Sequence, residues 1–194
     1  MRSIKSKYVL ITGAPGSKWS SVMKGIYTSP DVNQSDSSDE RTYKGYHFGA
    51  YWDPGMEFNN NPDLWDEPFT KKRGTKIIKS HTFAHNLEKL KTMGYPIVLV
   101  VRPSVECYYW WKMAGGMDIA YPLYKSYYRN DMNMWRQIKK QNADIQEFLY
   151  RNGEYVTRIT CNQSLAEKLN ISPEQIGLKY YKKSDINVYL YRKI

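Results

Sequence analysis

The sequence predicts an α/β fold, a single domain over residues 1–194 with a central parallel β-sheet flanked by helices. Two observations lead there. Four short runs, "YVLIT" at 8–12, "TKIIKS" at 75–80, "PIVLVV" at 96–101 and "YVTRIT" at 155–160, have the length of strands. Most are too continuously apolar for a sheet wetted on one face, as expected of strands covered by helices on both sides. Segments with helical spacing lie between them, giving the strand–helix alternation of βαβ units. A chain of 194 residues has room for one sizeable core and is short for two.

The elements follow in order. The first strand runs into the glycine-bearing turn "GAPGSK" and a helix over 18–28. Residues 29–74 break the pattern: "SPDVNQSDSSDER" is polar and acidic, and "GYHFGAYWDPGMEFNNNPDLWDEPF" mixes aromatics with Pro, Gly and Asn. This reads as a long insertion with little regular structure, a type of segment that often closes over or binds a substrate. After the second strand, "FAHNLEKLKTMG" at 83–94 predicts a helix stopped by Gly94, and another is expected over 104–113, after Pro103. The longest helix is expected within 120–150, where Tyr128, Met132, Trp135, Ile138, Ile145 and Leu149 recur at helical spacing before Asn152-Gly153 ends it. "INVYLYR" at 186–192 alternates and is expected as an edge strand.

The balance of 29 Lys and Arg against 19 Asp and Glu gives a formal charge of +10, which suits a protein that handles anions without choosing among nucleotides, sulfated ligands, nucleic acid and lipid. Two cysteines, Cys107 and Cys161, make neither a disulfide framework nor a metal-ligand cluster. The apolar stretch at Tyr8 to Ile11 is too short for a secretion signal, and no run approaches the roughly 18 apolar residues of a membrane span. The expectation is a cytoplasmic protein outside the membrane.

Three pieces carry the chemistry. In the first, Gly13, Ala14, Pro15, Gly16, Ser17, Lys18, Trp19 and Ser20 link a strand to a helix, so turn N–H groups and the positive helix N-terminus would converge on an anion beside the Lys18 charge. The domain is P-loop-like in this respect. Against the nucleotide-kinase loop G-x-x-x-x-G-K-[ST] the turn is one residue short before its lysine, and Trp19 stands where a hydroxyl would bind magnesium. In the second, "KIIKSHTFAHNL", Lys79 and His81 are two apart at a strand end, hence on one side of the pleat. They would share the carboxyl edge of the sheet with the first turn, where open parallel sheets bind ligands. In the third, "IVLVVRPSVECYYWW", Arg102 ends a strand and offers a rigid fork suited to phosphate oxygens.

In this order the pieces resemble the cytosolic-type sulfotransferases that use 3′-phosphoadenosine-5′-phosphosulfate (PAPS). "PGSKWSS" from Pro15 is similar to the family's 5′-phosphosulfate loop, roughly P-K-S-G-T-T-W. "IIKSHTF" at 77–83 is similar to its K-T-H stretch. "VLVVRPSVECYYWW" is similar to its 3′-phosphate segment, a strand followed by R-N-P-x-D and S-Y-Y. Gly16 replaces the family's loop lysine, with Lys18 two positions on. Tyr109 and Trp110 occupy the region of the family's 3′-phosphate serine, so Ser104 is the substitute considered.

The resemblance implies transfer of a sulfuryl group from PAPS to a hydroxyl or amine of an acceptor, leaving PAP (3′-phosphoadenosine 5′-phosphate), with no metal. It implies cations at Lys18 and Lys79, a base at His81, a 5′-phosphate held by residues 13–20 and a 3′-phosphate held by Arg102 and Ser104. A small-molecule or glycan acceptor would lie against aromatics of the insertion, with His47, Tyr51, Trp52 and Tyr108 as its candidate contacts and His47 as a second candidate base. Two other readings stay open. One is a P-loop nucleotide-dependent kinase. The other is a basic, non-catalytic nucleic-acid-binding module, suggested by "KKR" at 71–73 and "KYYKK" at 179–183, although such runs are usually solvated charge.

Overall fold

The computed structural model describes residues 5–35, 60–113 and 130–193. Among these, five strands form one sheet: β1 (Tyr8–Gly13), β2 (Lys76–Lys79), β3 (Ile97–Val101), β4 (Val156–Ile159) and β5 (Asn187–Tyr191), in the order β2-β1-β3-β5-β4. The helices are α1 (Trp19–Tyr27), α2 (Leu87–Lys91), α3 (Ser104–Met113), α4 (Asp131–Arg151) and α5 (Asn162–Leu169). The expected α/β architecture is present, with one correction. The sheet is mixed, because β5 runs antiparallel to both β3 and β4 while β1, β2 and β3 are mutually parallel.

The same strand corrects a second expectation, for β5 is internal and β4 is the edge. β5 alternates for a reason other than a wet edge: its two faces meet different cores. Val188 and Leu190 join Val9, Ile11, Val98 and Val100 against the apolar sides of α1 and α5. Tyr191 joins Tyr8, Leu10, Ile97 and Leu99 on the opposite face, with Ile145 and Phe148 of α4 and Leu87 and Leu90 of α2. Period-two alternation here divides buried aliphatic side chains from aromatic ones, of which Tyr191 is buried and Tyr189 half-buried.

The long helix stands where its periodicity placed it. Asn130 caps it by accepting from the Asn133 N–H, and Asn152 ends it with its N–H on the Phe148 carbonyl. Its buried face is Met134, Ile138, Ile145 and Phe148; Met132 is exposed, so the face is rotated from the one expected. Tyr128 lies outside the described residues. The helix expected over 83–94 is mostly not α-helical: a 3-10 segment spans His81–Asn86, started by Ser80 accepting from the Thr82 N–H, and α2 adds only five residues. Most of the expected insertion, 36–59, lies outside the described residues. Its last part is anchored to the core, because Trp65 is fully buried against Tyr8 and Phe83.

Candidate functional site

Register decides what meets at the carboxyl edge of the three parallel strands. Ile11 pairs with Lys79, and Gly13 pairs with Val100. The chain therefore leaves β1 at Gly13, β2 at Ser80 and β3 at Arg102 on one edge, so the three sequence pieces converge.

The turn after β1 is shaped by its carbonyls. The Gly13 carbonyl accepts from His81 Nδ1, the Ala14 carbonyl from the Ser17 N–H at 2.9 Å, and the Gly16 carbonyl from Arg102 Nη1 at 3.2 Å. Three oxygens are thus committed to protein donors. Gly16 has φ 79 and Lys18 φ 63, two left-handed residues that turn the chain into α1. Gly16 is required twice over, since a Cβ there would lie 2.0 Å from the Cys107 carbonyl oxygen of α3.

The head of α1 is left without the usual protein cap. Lys18, at the N-cap, makes no side-chain cap hydrogen bond, and no acidic residue occupies the first turn. Beside it Ser17 is 0% exposed, and its Oγ is buried with no hydrogen-bond partner. A buried hydroxyl without a partner is costly, and an uncapped helix head attracts negative charge. The helix head and the hydroxyl belong to adjacent residues of one turn.

Around this turn the expected cations separate into two groups. Lys79 and His81 are both buried and both lie against Trp19: the His81 ring centroid is 4.3 Å from the indole and Lys79 Nζ is 6.0 Å from it. Trp111 meets His81 edge-on at 6.4 Å. Because a carbonyl only accepts, the bond to Gly13 places a proton on Nδ1, so that in a neutral ring the lone pair lies on Nε2. Lys18 belongs to the second group. Its Nζ sits 4.7 Å over Trp110, and the Arg102 guanidinium is 5.7 Å from the same ring. Burial, then the Arg102 charge, lowers the Lys18 pKa, while Asp185 and Glu106 act in the opposite direction.

Arg102 is 5% exposed and already engaged. Nη1 donates to the carbonyls of Gly16 and, at 3.1 Å, Glu106, and Nη2 donates to Glu106 Oε2 at 3.3 Å. It ties the turn to α3, a role beyond the phosphate contact expected of it. Ser104 is held as well, its Oγ accepting from Asn142 Nδ2 at 3.0 Å, while the same amide donates to the Arg102 carbonyl. Tyr108 packs edge-on against Trp135 of α4 at 5.8 Å. Pro15 is buried in the turn and Ser20 is half-buried in the first turn of α1. His47, Tyr51 and Trp52 lie outside the described residues. No group of His, Cys, Asp or Glu suited to a metal ion occurs among the described residues.

Several neighbours were missed from sequence. Lys179, in the run read as solvated charge, donates to Ser21 Oγ of α1 at 2.7 Å, and only tertiary packing brings it there. Trp110 was passed over as an obstruction yet underlies both cations. Glu106 was legible, four residues beyond Arg102 at helical spacing. The chain matches no protein-family model, no curated protein and no solved structure.

Proposed function

We propose that this protein is a sulfotransferase that moves the sulfuryl group of PAPS to a hydroxyl or amine of an acceptor. The observation that carries the reading is the head of α1, where an uncapped N-terminus and the partnerless Ser17 hydroxyl adjoin Lys18, and where Trp19 packs on a histidine oriented by the Gly13 carbonyl. The nucleotide supplies an activated sulfuryl group on a phosphate leaving group. Residues 13–20 would hold its 5′-phosphate through turn N–H groups and the Ser17 hydroxyl, and Lys18 would add a full charge.

His81 would act as the base. With Nδ1 protonated toward Gly13, its Nε2 is the atom that takes the acceptor proton while the acceptor oxygen or nitrogen attacks sulfur and the sulfur–phosphate oxygen bond breaks. Lys79, held with His81 against Trp19, would offset charge building on the transferring group and the departing phosphate. Arg102 would contribute a charge-assisted contact to the 3′-phosphate while its Nη1 keeps the turn in place. The buried indoles of Trp19 and Trp111 exclude water from the histidine, which favours transfer to the acceptor over hydrolysis.

The test is a thermal-shift comparison of PAP, ATP with magnesium, and adenosine 5′-monophosphate (AMP), since a ligand that binds only the folded state raises the melting temperature. PAP should give the largest shift, undiminished by a chelator. A shift from ATP that depends on magnesium, with none from PAP, would favour a kinase instead.

A further inference from the structure

Arg102 has five N–H donors, and their allocation is uneven. Both Nη1 contacts go to backbone carbonyls, of Gly16 and Glu106. Nη2 reaches the Glu106 carboxylate at 3.3 Å, and Nε is buried with no partner. The Nε–Nη2 edge is the side of a guanidinium that takes two oxygens of one phosphate or carboxylate. Here it is half used, by a single long bond. The two partners also differ in mobility: the Arg102 side chain is 5% exposed and the Glu106 side chain 55%. The guanidinium is fixed, whereas the carboxylate is free to swing into solvent at little cost.

We propose that the Glu106 carboxylate is a built-in competitor for the phosphate held by Arg102, one that the nucleotide's 3′-phosphate must displace in order to bind. The inference rests on the PAPS reading above and adds to it a residue that sets ligand selectivity. A phosphate presents two oxygens and up to two charges to an edge on which Glu106 engages only one donor, so it wins the exchange and satisfies the Nε N–H. A nucleotide without a 3′-phosphate leaves Glu106 in place. The Nη1 contacts persist in both states, so the turn around Gly16 does not move when the carboxylate leaves.

The experiment compares binding of PAP and AMP by wild type, Glu106→Gln, Glu106→Ala, Arg102→Ala and the Arg102→Ala/Glu106→Gln double variant, by titration calorimetry at fixed salt. Both Glu106 variants should bind PAP about fivefold more tightly, the scale of a half-exposed ion pair, with AMP unchanged. In the Arg102→Ala background the same substitution should leave the ratio of PAP to AMP affinity where it was. Weaker PAP binding by both Glu106 variants would make Glu106 a support for Arg102 and overturn the proposal. So would an equal gain for PAP and AMP, or a gain that survives without Arg102. Wild type that does not prefer PAP to AMP would sink the sulfotransferase reading itself, and that result is read before any variant is made.

Discussion

Gly16→Ala tests whether the turn after β1 is built by close approach to α3. The new Cβ would lie 2.0 Å from the Cys107 carbonyl oxygen, 2.7 Å from its carbon and 3.0 Å from Cα. All three are backbone atoms of a helix, which cannot rotate aside. Restoring an ordinary contact of about 3.5 Å requires the turn and helix to part by more than about 1 Å. The left-handed conformation adds about 1–2 kcal/mol for a residue with a Cβ. Separation also stretches the Arg102 bond to the Gly16 carbonyl, a charge-assisted contact worth about 1.5–3 kcal/mol. Together these predict destabilisation of about 2.5–5 kcal/mol.

Gly94 supplies the internal reference. It has φ 73, close to the value at Gly16, but a Cβ there meets nothing within 4 Å. Gly94→Ala should therefore cost only the conformational share, about 1–2 kcal/mol. Urea denaturation of both variants gives the two values, and their difference isolates the steric approach. If both fold, Gly16→Ala should also show PAP affinity reduced by about 10²-fold, the penalty of donors displaced by about 1 Å, and Gly94→Ala should bind normally. Equal destabilisation by the two substitutions would refute the reasoning, because the clash would then have been relieved without cost.

Two other substitutions probe single roles. His81→Asn keeps an amide N–H to meet the Gly13 carbonyl, so PAP binding should be nearly intact while turnover on a confirmed acceptor falls about 10²-fold or more; near-normal turnover would move the base elsewhere, to His47 first. Lys18→Gly removes a desolvated cation and a left-handed side chain at once, so stability should rise by about 1 kcal/mol while PAP binding weakens at least about tenfold. The sign in pH follows from the lowered pKa of Lys18: between its folded and unfolded values the unfolded chain holds more protons, so wild-type stability rises with pH there. Lys18→Gly should flatten that alkaline rise, and a variant less stable than wild type would show that the lysine supports the fold.

What was legible in the sequence was what local pattern encodes. Continuous apolar runs located β1 to β4, and Asn152-Gly153 placed the end of α4. The expectation of parallel strands also carried far, because Gly13, Ser80 and Arg102 share one edge once β1, β2 and β3 are parallel. Pairing direction was not legible for β5. Its alternation of Val188 and Leu190 with Tyr189 and Tyr191 has the same period as a half-wet edge, and only the helices on each side reveal that both faces are buried. Within the site, Lys18 and Lys79 were both legible as cations of the resemblance, while their grouping was not: Trp19 and Trp110 hold them in separate pairs, with His81 and with Arg102. Indole placement depends on tertiary packing, to which spacing is blind.

The position of β5 has a consequence for assembly. β4 touches the rest of the sheet through β5 alone, so until residues 187–191 slot in beside β3 the sheet is three strands wide and β4 has no hydrogen-bonding neighbour in it. The segment carrying Lys179 and Asp185 runs between β4 and β5, anchored by the Tyr181 N–H on the Thr160 carbonyl and by Lys179 on Ser21. These are contacts of long sequence separation, whose loop-closure entropy makes them late in folding. The turn at the head of α1 is itself held by His81 and Arg102 across long sequence separations, so its final shape waits on β2 and β3, and its contact with Lys179 waits on the segment before β5. Under the proposed function, anion affinity would thus be a property of the finished molecule, and a binding assay would double as a report on whether the last strand has gone in.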